Sequence, residues 1–385
     1  MEKKNAAVRR VTTRDIAREC GVSQTTVSMI LSGKSNVSFS EETLALVKGT
    51  AARLGYVYRP RQVKKEDRLK KTIMILCPSL ATQYYTSLIQ SITEYARTRE
   101  ICTLTAYTTR TEKMEEYYLR MAADQDFLGL ICTYPIKAKK ILNEIAAKIP
   151  LVMISDYNPE LKTGFLELDS KKSGSLVARH LLELGHRRAA YITTPLSGTE
   201  LPRLRRLEGI REEFERKGVG KDSVLVLADT EEMWQTYRTG NRHYESGYRM
   251  TMQYFRKPDR VTAFIGTNDM VAIGILDALN KLGCRVPEDY SVCGFDNTLL
   301  SSFSGISLTT VDHCIEEKGR SAVEMIVDQR RNDWDKSQHR RGKGESREGP
   351  VTRIEYQPLL VARRSSGPPP AVKSQPADTE AGRKQ

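Results

Sequence analysis

The chain of 385 residues contains 61 Lys and Arg against 48 Asp and Glu, which gives a formal net charge of +13. With 39% hydrophobic and 28% charged residues, it has the composition of a globular protein of two or three domains, and wholesale disorder is excluded. No run of about 18 apolar residues is long enough for a transmembrane helix, and the basic N-terminus lacks the apolar stretch of a signal peptide. We therefore expect a cytoplasmic protein with no membrane partner.

The cysteines and histidines are too scattered to suggest a metal site. The seven cysteines include no CxxC pair, and the five histidines show no metal-ligand spacing. Neither a glycine-rich nucleotide-binding loop after a strand nor a nucleophile with its base is evident. We expect reduced thiols, no metal, no cofactor and no enzymatic activity.

The positive charge is concentrated at the N-terminal end of the chain. Residues 1–71 carry 16 Lys and Arg against 7 Asp and Glu, a net charge of +9, whereas the remaining 314 residues carry only +4. A basic segment joined to a nearly neutral body is typical of a polyanion-binding module attached to a second domain. The alternative, a solvated basic tail, requires that the segment lack a folding pattern.

The basic segment does have a folding pattern. Residues 13–20 and 24–31 show apolar residues at helical spacing, with Thr12 and Ser23 as N-caps. Gly21 opens the three-residue turn between them, where a positive φ is needed. A helix, a short turn containing glycine and a second helix form the helix-turn-helix pattern, which predicts a small DNA-binding module.

Several segments of the chain resemble one protein family. A resemblance to the headpiece of the LacI/GalR transcription regulators is carried by TTRDIARECGVSQTTVSMILSG and by VSFSEETLALVKGTAARLGY, where Ser40 opens a third helix. The family's core is resembled, in order and spacing, by LELGHRRAAYIT, RLRRLEGIREEF, TAFIGTNDMVAIGILDALNKLGCRVPEDYSVCGFDN and SLTTVD. The resemblance implies an all-α helix-turn-helix headpiece followed by an α/β, two-lobed, periplasmic-binding-protein-like core with parallel sheets.

The second helix of such a head enters the major groove of double-stranded DNA. The family's base-reading positions fall on Gln24, Thr25 and Met29, and Gln24 can bond bidentately to adenine. Met29 offers only apolar contact where relatives often have Arg, His or Asn, which indicates an operator unlike familiar ones. Phosphate contacts that set the register are expected from Thr12, Ser23, Thr26 and Ser28. For the last two residues, ordinary helix surface is the alternative.

The resemblance weakens in the linker. Family members usually form a hinge helix there, whose leucine wedges into the minor groove, but Lys65 stands at the wedge position. A lysine cannot unstack a base step as an apolar side chain does. Pro60 is suited to start a short helix that places Val63 toward a partner chain. A plain charged linker is the alternative.

Strands and helices alternate from residue 73 onward. Strands are predicted at residues 73–77, 103–107, 129–132, 151–155, 189–193, 224–228, 262–266 and 291–294. Helices are predicted at residues 84–99, 113–124, 138–147, 171–184, 203–217, 246–256, 269–282 and 312–330. Such alternation is typical of parallel sheets wrapped by helices, and the chain is long enough for two lobes. Ligands in this architecture bind beyond the carboxyl ends of the strands, between the lobes.

Polar residues just after predicted strands are the candidates for effector binding. Asp296 is suited to accept two hydrogen bonds from vicinal hydroxyls, and Arg206 matches the family's ligand-binding arginine. Asp269 is expected to cap the following helix, and His243 is a weaker rim candidate. The predicted effector-binding set is Tyr84, Tyr85, Ser155, Asp156, Arg206, Asn268 and Asp296. For the two tyrosines, simple packing at a helix start is the alternative.

The resulting domain prediction has four parts. They are a DNA-binding head at 11–58, a linker or atypical hinge at 59–71, an effector-binding and dimerisation core at 72–365, and a disordered tail at 366–385. Residues 330–348 are interpreted as a polar insertion in the core. Neither polar segment contains a leucine heptad, so a coiled-coil tetramer is not indicated.

Three classes of function fit parts of this pattern. A ligand-responsive regulator, most simply a repressor that binds a pseudo-palindromic operator as a homodimer, explains both head and core. An enzyme on a doubly wound sheet lacks a nucleophile or metal cluster. A transport-type solute-binding protein is disfavoured by the missing export signal and the basic head. The polar set suits a sugar or sugar derivative as effector, and a nucleobase or nucleoside is the alternative.

Overall fold

The computed structural model describes residues 11–32, 39–56, 69–196, 201–237, 240–255, 261–339 and 351–370; of residue 201 and residues 332–339 it describes the backbone alone. The chain divides into two compact units between residues 68 and 69. The predicted linker, with Pro60, Val63 and Lys65, therefore lies almost wholly outside the described residues. Its last three residues belong to the second unit, where Leu69 packs against the hydrophobic core.

The described part of the N-terminal unit is helical, with α1 (Thr13–Cys20), α2 (Gln24–Ser32) and α3 (Glu41–Arg53). Each helix contributes apolar residues to one small core, which contains Ile16, Ala17, Val27, Ile30, Val47 and Ala51. Because these residues recur at helical spacing, one face of each helix is buried and the other is left polar. The three predicted helices are confirmed.

The strands of the C-terminal unit form two parallel sheets and one antiparallel pair. In chain order they are β1 (Thr72–Cys77), β2 (Cys102–Tyr107), β3 (Gly129–Cys132), β4 (Leu151–Ile154), β5 (Gly164–Leu168), β6 (Ala189–Thr193), β7 (Val224–Ala228), β8 (Ala263–Gly266), β9 (Ser291–Cys293), β10 (Thr310–Asp312), β11 (Arg353–Tyr356) and β12 (Leu359–Val361). One sheet has the order β11-β5-β4-β3-β1-β2 and the other β7-β6-β8-β9, while β10 pairs with β12.

Helices cover both faces of each parallel sheet. In chain order they are α4 (Gln83–Thr98), α5 (Glu112–Asp124), α6 (Lys139–Ala146), α7 (Ser170–Glu183), α8 (Leu201–Arg216), α9 (Glu231–Thr236), α10 (Arg242–Tyr254), α11 (Asp269–Lys281), α12 (Leu299–Ser302) and α13 (Ile315–His339). On β1, Met74 and Leu76 join one apolar cluster whereas Ile73 and Ile75 join another. This alternation shows that the strand is buried on both faces, as parallel sheets require.

Each sheet with its helices forms one lobe, and the chain crosses between the lobes three times. It leaves the first lobe between β5 and α7, returns between β10 and α13, and leaves again between β11 and β12. The three connections are short, so the lobes are joined by a few closely spaced backbone segments. Such connections are suited to act as a hinge.

Each predicted strand and helix of the core is present, but some ends differ: the helix predicted from residue 312 begins at Ile315, because Asp312 belongs to β10, and the helix predicted from residue 246 begins at Arg242. Further elements are present that the sequence pattern did not indicate. The strand β5 was missed because Glu167 interrupts its apolar run. In the structure Glu167 is buried, accepts a hydrogen bond from the backbone N–H of Tyr157 at 2.9 Å and pairs with Arg353 on the neighbouring strand. A charged residue fits this strand only because a partner from far along the chain neutralises it.

Two expectations about polar segments need correction. Residues 330–339, interpreted as part of an insertion, continue α13, because a helix anchored by buried residues such as Val323 and Ile326 extends at little further cost. The expectation of a disordered tail from residue 366 is wrong for residues 366–370, which the structure describes. Gly367 accepts a hydrogen bond at 2.9 Å from Ser291, and its N–H donates back to the Ser291 hydroxyl. Residues 340–348 and 371–385 lie outside the described residues.

Candidate functional site

The N-terminal ends of α1 and α2 are each capped by the side chain of the residue that precedes the helix. The Ser23 hydroxyl accepts a hydrogen bond from the Thr26 backbone N–H at 3.0 Å and lies 2.8 Å from the Thr26 hydroxyl. At α1, the Thr12 hydroxyl lies 2.7 Å from the Asp15 carboxylate, which also accepts the Thr12 backbone N–H at 2.9 Å. These caps fix the ends of both helices. Three of the four residues predicted to contact phosphates therefore also stabilise the local fold.

The residues predicted to read bases lie along one face of α2. Gln24 and Thr25 are exposed and Met29 is half-buried, whereas Val27 has no exposed surface. The Gln24 amide donates a hydrogen bond to the Thr13 hydroxyl at 3.1 Å. Ser28, the fourth predicted phosphate contact, is exposed on the same helix. The N-terminal part of α2 thus presents neutral hydrogen-bonding groups that are free of the core, as a helix inserted in a groove requires.

A cleft of about 850 Å³ lies between the two lobes of the C-terminal unit. Its walls come from both lobes because the carboxyl ends of both parallel sheets open toward it. All seven residues predicted to bind the effector line this one cleft, namely Tyr84, Tyr85, Ser155, Asp156, Arg206, Asn268 and Asp296. His243, the weaker rim candidate, lines it as well. Within the described ranges, no group of His, Cys, Asp or Glu has the arrangement of a metal site.

A chain of buried polar groups forms one wall of the cleft. The Asp296 carboxylate lies 3.5 Å from His313 Nδ1, and Arg206 Nη2 lies 3.4 Å from His313 Nε2. Arg206 also donates to the Thr267 carbonyl at 2.5 Å and lies over the Phe295 ring, 4.8 Å from its centroid. The guanidinium is thereby held in one orientation, with its Nε without a hydrogen-bond partner in the part of the chain that the structure describes.

The charge states in this wall depend on burial. Burial and the nearby Asp269 carboxylate raise the pKa of Asp296. Burial, Arg206 and Lys318 hold the pKa of His313 well below its usual value, so the imidazole is neutral. Because Arg206 is a donor only, His313 accepts through Nε2 and carries its proton on Nδ1, facing Asp296. His313 was not predicted, although it follows β10 and the position after a strand was the signal that identified Asp296.

Asp156 and Ser155 lie on the opposite side, at the end of β4 in the first lobe. One Asp156 carboxylate oxygen accepts a hydrogen bond from Ser170 at 3.0 Å, and the other has no hydrogen-bond partner among the described residues. Arg205 Nε is 3.9 Å from that second oxygen, beyond hydrogen-bonding distance. Burial raises the pKa of Asp156. The Ser155 hydroxyl donates to the neighbouring Asp156 carbonyl at 3.2 Å.

The helix cap beside the cleft differs from the expectation. Asn268, not Asp269, caps α11: its side-chain oxygen accepts the Val271 N–H at 2.9 Å, and its Nδ2 lies 3.0 Å from His243 Nδ1. The fully buried Asp269 carboxylate instead accepts hydrogen bonds from Thr298 and Thr310, at 2.8 and 2.5 Å. The prediction was wrong because the two threonines, brought in by the tertiary fold, compete for the carboxylate.

Aromatic side chains complete the cleft. Tyr84 makes edge contacts with Tyr85 and His313, at centroid distances of 5.2 and 5.6 Å, and the Tyr85 hydroxyl accepts from Arg110 at 2.9 Å. Trp234, on the unpredicted helix α9, also lines the cleft. Its short helix has too few residues for a periodic pattern, so no sequence signal marked it. The cleft therefore combines hydrogen-bonding groups with flat apolar surfaces, as polyhydroxylated ligands require.

Both parts of the chain match known protein families. Residues 12–58 match the family described as bacterial regulatory proteins, lacI family, and residues 178–365 match the periplasmic binding protein-like domain. The chain is 28% identical over 363 residues to the HTH-type transcriptional regulator DegA of Bacillus subtilis, covering 93% of this chain and 99% of DegA. It is 28% identical over 321 residues to the ribose operon repressor of Escherichia coli K12, covering 82% and 92%.

Solved structures share the fold. A LacI family regulator from Enterococcus faecium with bound ribose has a TM-score of 0.63 and 21% identity, covering 77% of this chain and 99% of that one. The lac repressor dimer bound to operator and the anti-inducer ONPF has a TM-score of 0.67 and 22% identity, covering 93% and 100%. Within the described residues, no helix is both long and apolar enough to span a bilayer. From the helix-turn-helix head, the two-lobed core and these matches, we conclude that the chain joins a DNA-binding head of the lacI family to a periplasmic-binding-protein-like core and is a DNA-binding transcription regulator.

Proposed function

We propose that this protein is a repressor that binds a pseudo-palindromic operator as a homodimer, and that a sugar or sugar derivative in the cleft controls its affinity for the operator. The observation that carries the proposal is the cleft itself, whose two walls belong to different lobes and present buried carboxyl, guanidinium and amide groups. The proposed division is a head at 11–58, a linker at 59–68 and a core that begins at residue 69 and includes Gly367. Operator binding places the protein on the nucleoid in the cytoplasm.

A sugar suits the chemistry of the cleft. Asp156 and Asp296 can accept hydrogen bonds from hydroxyl groups, while Arg206 and Asn268 can donate to them. Trp234 offers a flat apolar surface for the C–H face of a sugar ring. The ribose bound by the Enterococcus relative and the name of the ribose operon repressor support this class of ligand.

Control of DNA binding follows from ligand contacts with both lobes. A ligand that bonds Asp156 in one lobe and Asp296 in the other favours one angle between the lobes over another. Such a ligand needs a differential affinity of only about 1–3 kcal/mol between two states to change operator occupancy substantially. The three connections between the lobes are the segments in which that change is absorbed.

Recognition of the operator is assigned to α2. Gln24, Thr25 and Met29 are proposed to contact base edges, while Thr12, Ser23, Thr26 and Ser28 bond phosphates. Two copies related by a twofold axis place two such helices on two half-sites, as in the operator-bound lac repressor dimer, which supports a homodimer.

The test begins with the genomic sites that the full-length protein occupies. A fluorescently labelled duplex containing the shared palindrome is then titrated with protein in the presence of neutral sugars, sugar derivatives and nucleosides. The expected result is specific binding that a sugar or sugar derivative weakens or strengthens. An affinity altered by nucleosides alone would overturn the sugar assignment, and the absence of any shared palindrome would overturn the operator assignment.

A further inference from the structure

A buried lysine stands at the start of α13, inside the cleft. Lys318 is 3% exposed and lines the cleft, whereas Glu316 and Glu317 in the same helical turn are exposed. Lysine is almost never buried without a partner, because its ammonium group loses the hydration that stabilises its charge. The buried Lys318 beside the exposed Glu316 and Glu317 is therefore the reverse of the arrangement that solvation alone favours.

The position of Lys318 is unfavourable for a second reason. The first turn of a helix carries partial positive charge from unpaired backbone N–H groups, which stabilises anions and destabilises cations. In the described part of the chain, no carboxylate lies within ion-pair distance of the Lys318 ammonium, and it makes no side-chain hydrogen bond. Burial lowers the pKa of Lys318 to about 8, which leaves most molecules charged at neutral pH.

Arg206 presents a second buried cation to the same space. It is 8% exposed, and its hydrogen bonds go to a backbone carbonyl and to neutral His313 rather than to a carboxylate. Arg206 and Lys318 both line the cleft and both lower the pKa of His313, while the Asp156 and Asp296 carboxyl groups partly offset the effect of burial on the pKa of Lys318. Around the whole cleft, six Lys and Arg side chains face three Asp and Glu side chains.

Resting on the function proposed above, we propose that the effector is an anionic sugar derivative whose carboxylate or phosphate group binds between Lys318 and Arg206. The anion supplies the partner that the buried ammonium lacks, and the N-terminal turn of α13 adds favourable potential for it. Asp156 and Asp296 bind hydroxyl groups of the same ligand. Burial disfavours the charged form of both carboxyl groups and raises the pKa of each.

The experiment measures the affinity of the full-length protein for matched ligands by titration calorimetry at pH 7. The panel contains neutral sugars (glucose, ribose), sugar acids (gluconate, glucuronate) and sugar phosphates (glucose 6-phosphate, ribose 5-phosphate). We expect at least one anionic ligand to bind about tenfold or more tightly than its neutral parent, as charged hydrogen bonds imply. The sugar acids and phosphates distinguish the two sources of negative charge.

Two lysine variants separate a local effect from a change in overall charge. Lys318→Met keeps the length of the side chain and removes its charge. In this variant we expect the ratio of the affinity for the anionic ligand to that for its neutral parent to fall to about one, while neutral sugars still bind. Lys281→Met removes an exposed lysine outside the cleft and is expected to leave the preference unchanged. If Lys318→Met fails to fold, the ratio of anionic to neutral affinity in the wild-type protein still decides the matter.

Each outcome bears on one proposal at a time. Neutral sugars that bind as tightly as their acids and phosphates, and that alter operator affinity, overturn the anion site but leave the proposed regulator intact. An anion preference that survives in Lys318→Met overturns the role of this lysine. Binding of no sugar in any of the three groups overturns the proposed sugar control itself.

Discussion

The DNA-binding head and the effector cleft place their functional residues in opposite ways. In the head, the proposed base readers lie within six positions of one helix, and two of the three are exposed. In the cleft, Asp156, Arg206, Asp296 and Lys318 come from distant parts of the chain and are all buried. The head is therefore a surface built by one helix, whereas the cleft is a network built by the fold. A substitution in the head should therefore alter operator affinity through the substituted side chain alone. A substitution in the cleft should alter effector affinity partly through the buried side chains that it contacts.

The largest expected effect is that of Asp296→Ala. Removing this carboxyl group deletes a hydroxyl-binding group and leaves His313 without its partner, so we expect effector affinity to fall about 100-fold or more while operator binding persists. Calorimetry with the effector and anisotropy with operator DNA measure the two quantities. Because Asp296 has a φ of 126°, Asp296→Asn is the second variant, since asparagine tolerates such backbone better than alanine.

Asp328→Ala is the matched control for this change, because Asp328 is exposed on α13 and does not line the cleft. An effector response in Asp296→Ala equal to that of the control would contradict the assignment of Asp296. If Asp296→Ala lost operator binding in the absence of effector, the head and the cleft would not function independently as proposed.

The second effect concerns stability without ligand. The pKa of Lys318 falls from 10.5 to about 8 on folding, so the unfolded state holds more protons between these values and wild-type stability rises with pH in that window. Below about pH 8 the full penalty applies, and Lys318→Met is expected to raise the free energy of unfolding by about 3 kcal/mol at pH 7. Urea unfolding, followed by a core signal at pH 7, measures this.

Lys281→Met serves again as the control and should leave stability nearly unchanged. A Lys318→Met protein that is less stable than the wild type at pH 7 would mean that the ammonium group has a favourable partner in the free protein. That result would remove the energetic reason for an anionic ligand.

The third effect tests the single-residue behaviour expected of the head. Gln24→Ala removes a proposed bidentate contact with a base, so operator affinity should fall about tenfold or more while affinity for unrelated DNA hardly changes. Gln125→Ala, at an exposed position at the end of α5, is the control. Equal losses on both duplexes would contradict base reading by Gln24.

The smallest effect is expected for Thr26→Ala. This change removes a proposed phosphate contact, so affinity should fall about threefold on operator and on unrelated DNA alike. The Ser23 hydroxyl keeps its bond to the backbone N–H of residue 26, so the helix end is retained. A change in the ratio of the two affinities would show that Thr26 contributes to sequence reading.

Much of the fold was predictable because its signals are local. The caps at Thr12, Ser23 and Ser40 and the apolar spacing of α1 to α3 need only a few neighbouring residues to act. The central strands β1, β3, β4, β6 and β8 appear as short apolar runs because parallel strands inside a sheet are buried on both faces. The rule that ligands bind beyond strand ends was enough to predict that Asp296 and Asn268 would lie in one cleft.

What only the tertiary structure decided concerns partners far apart in the chain. Glu167 lies in a strand because Arg353 neutralises it, and Asp269 leaves the cap of α11 to Asn268 because Thr298 and Thr310 reach its carboxylate. Lys318 appears in sequence as one more charged residue of an amphipathic helix. Its burial depends on how the two lobes pack around it. The sequence near Lys318 cannot show that no carboxylate of the described residues lies within ion-pair distance of its ammonium group.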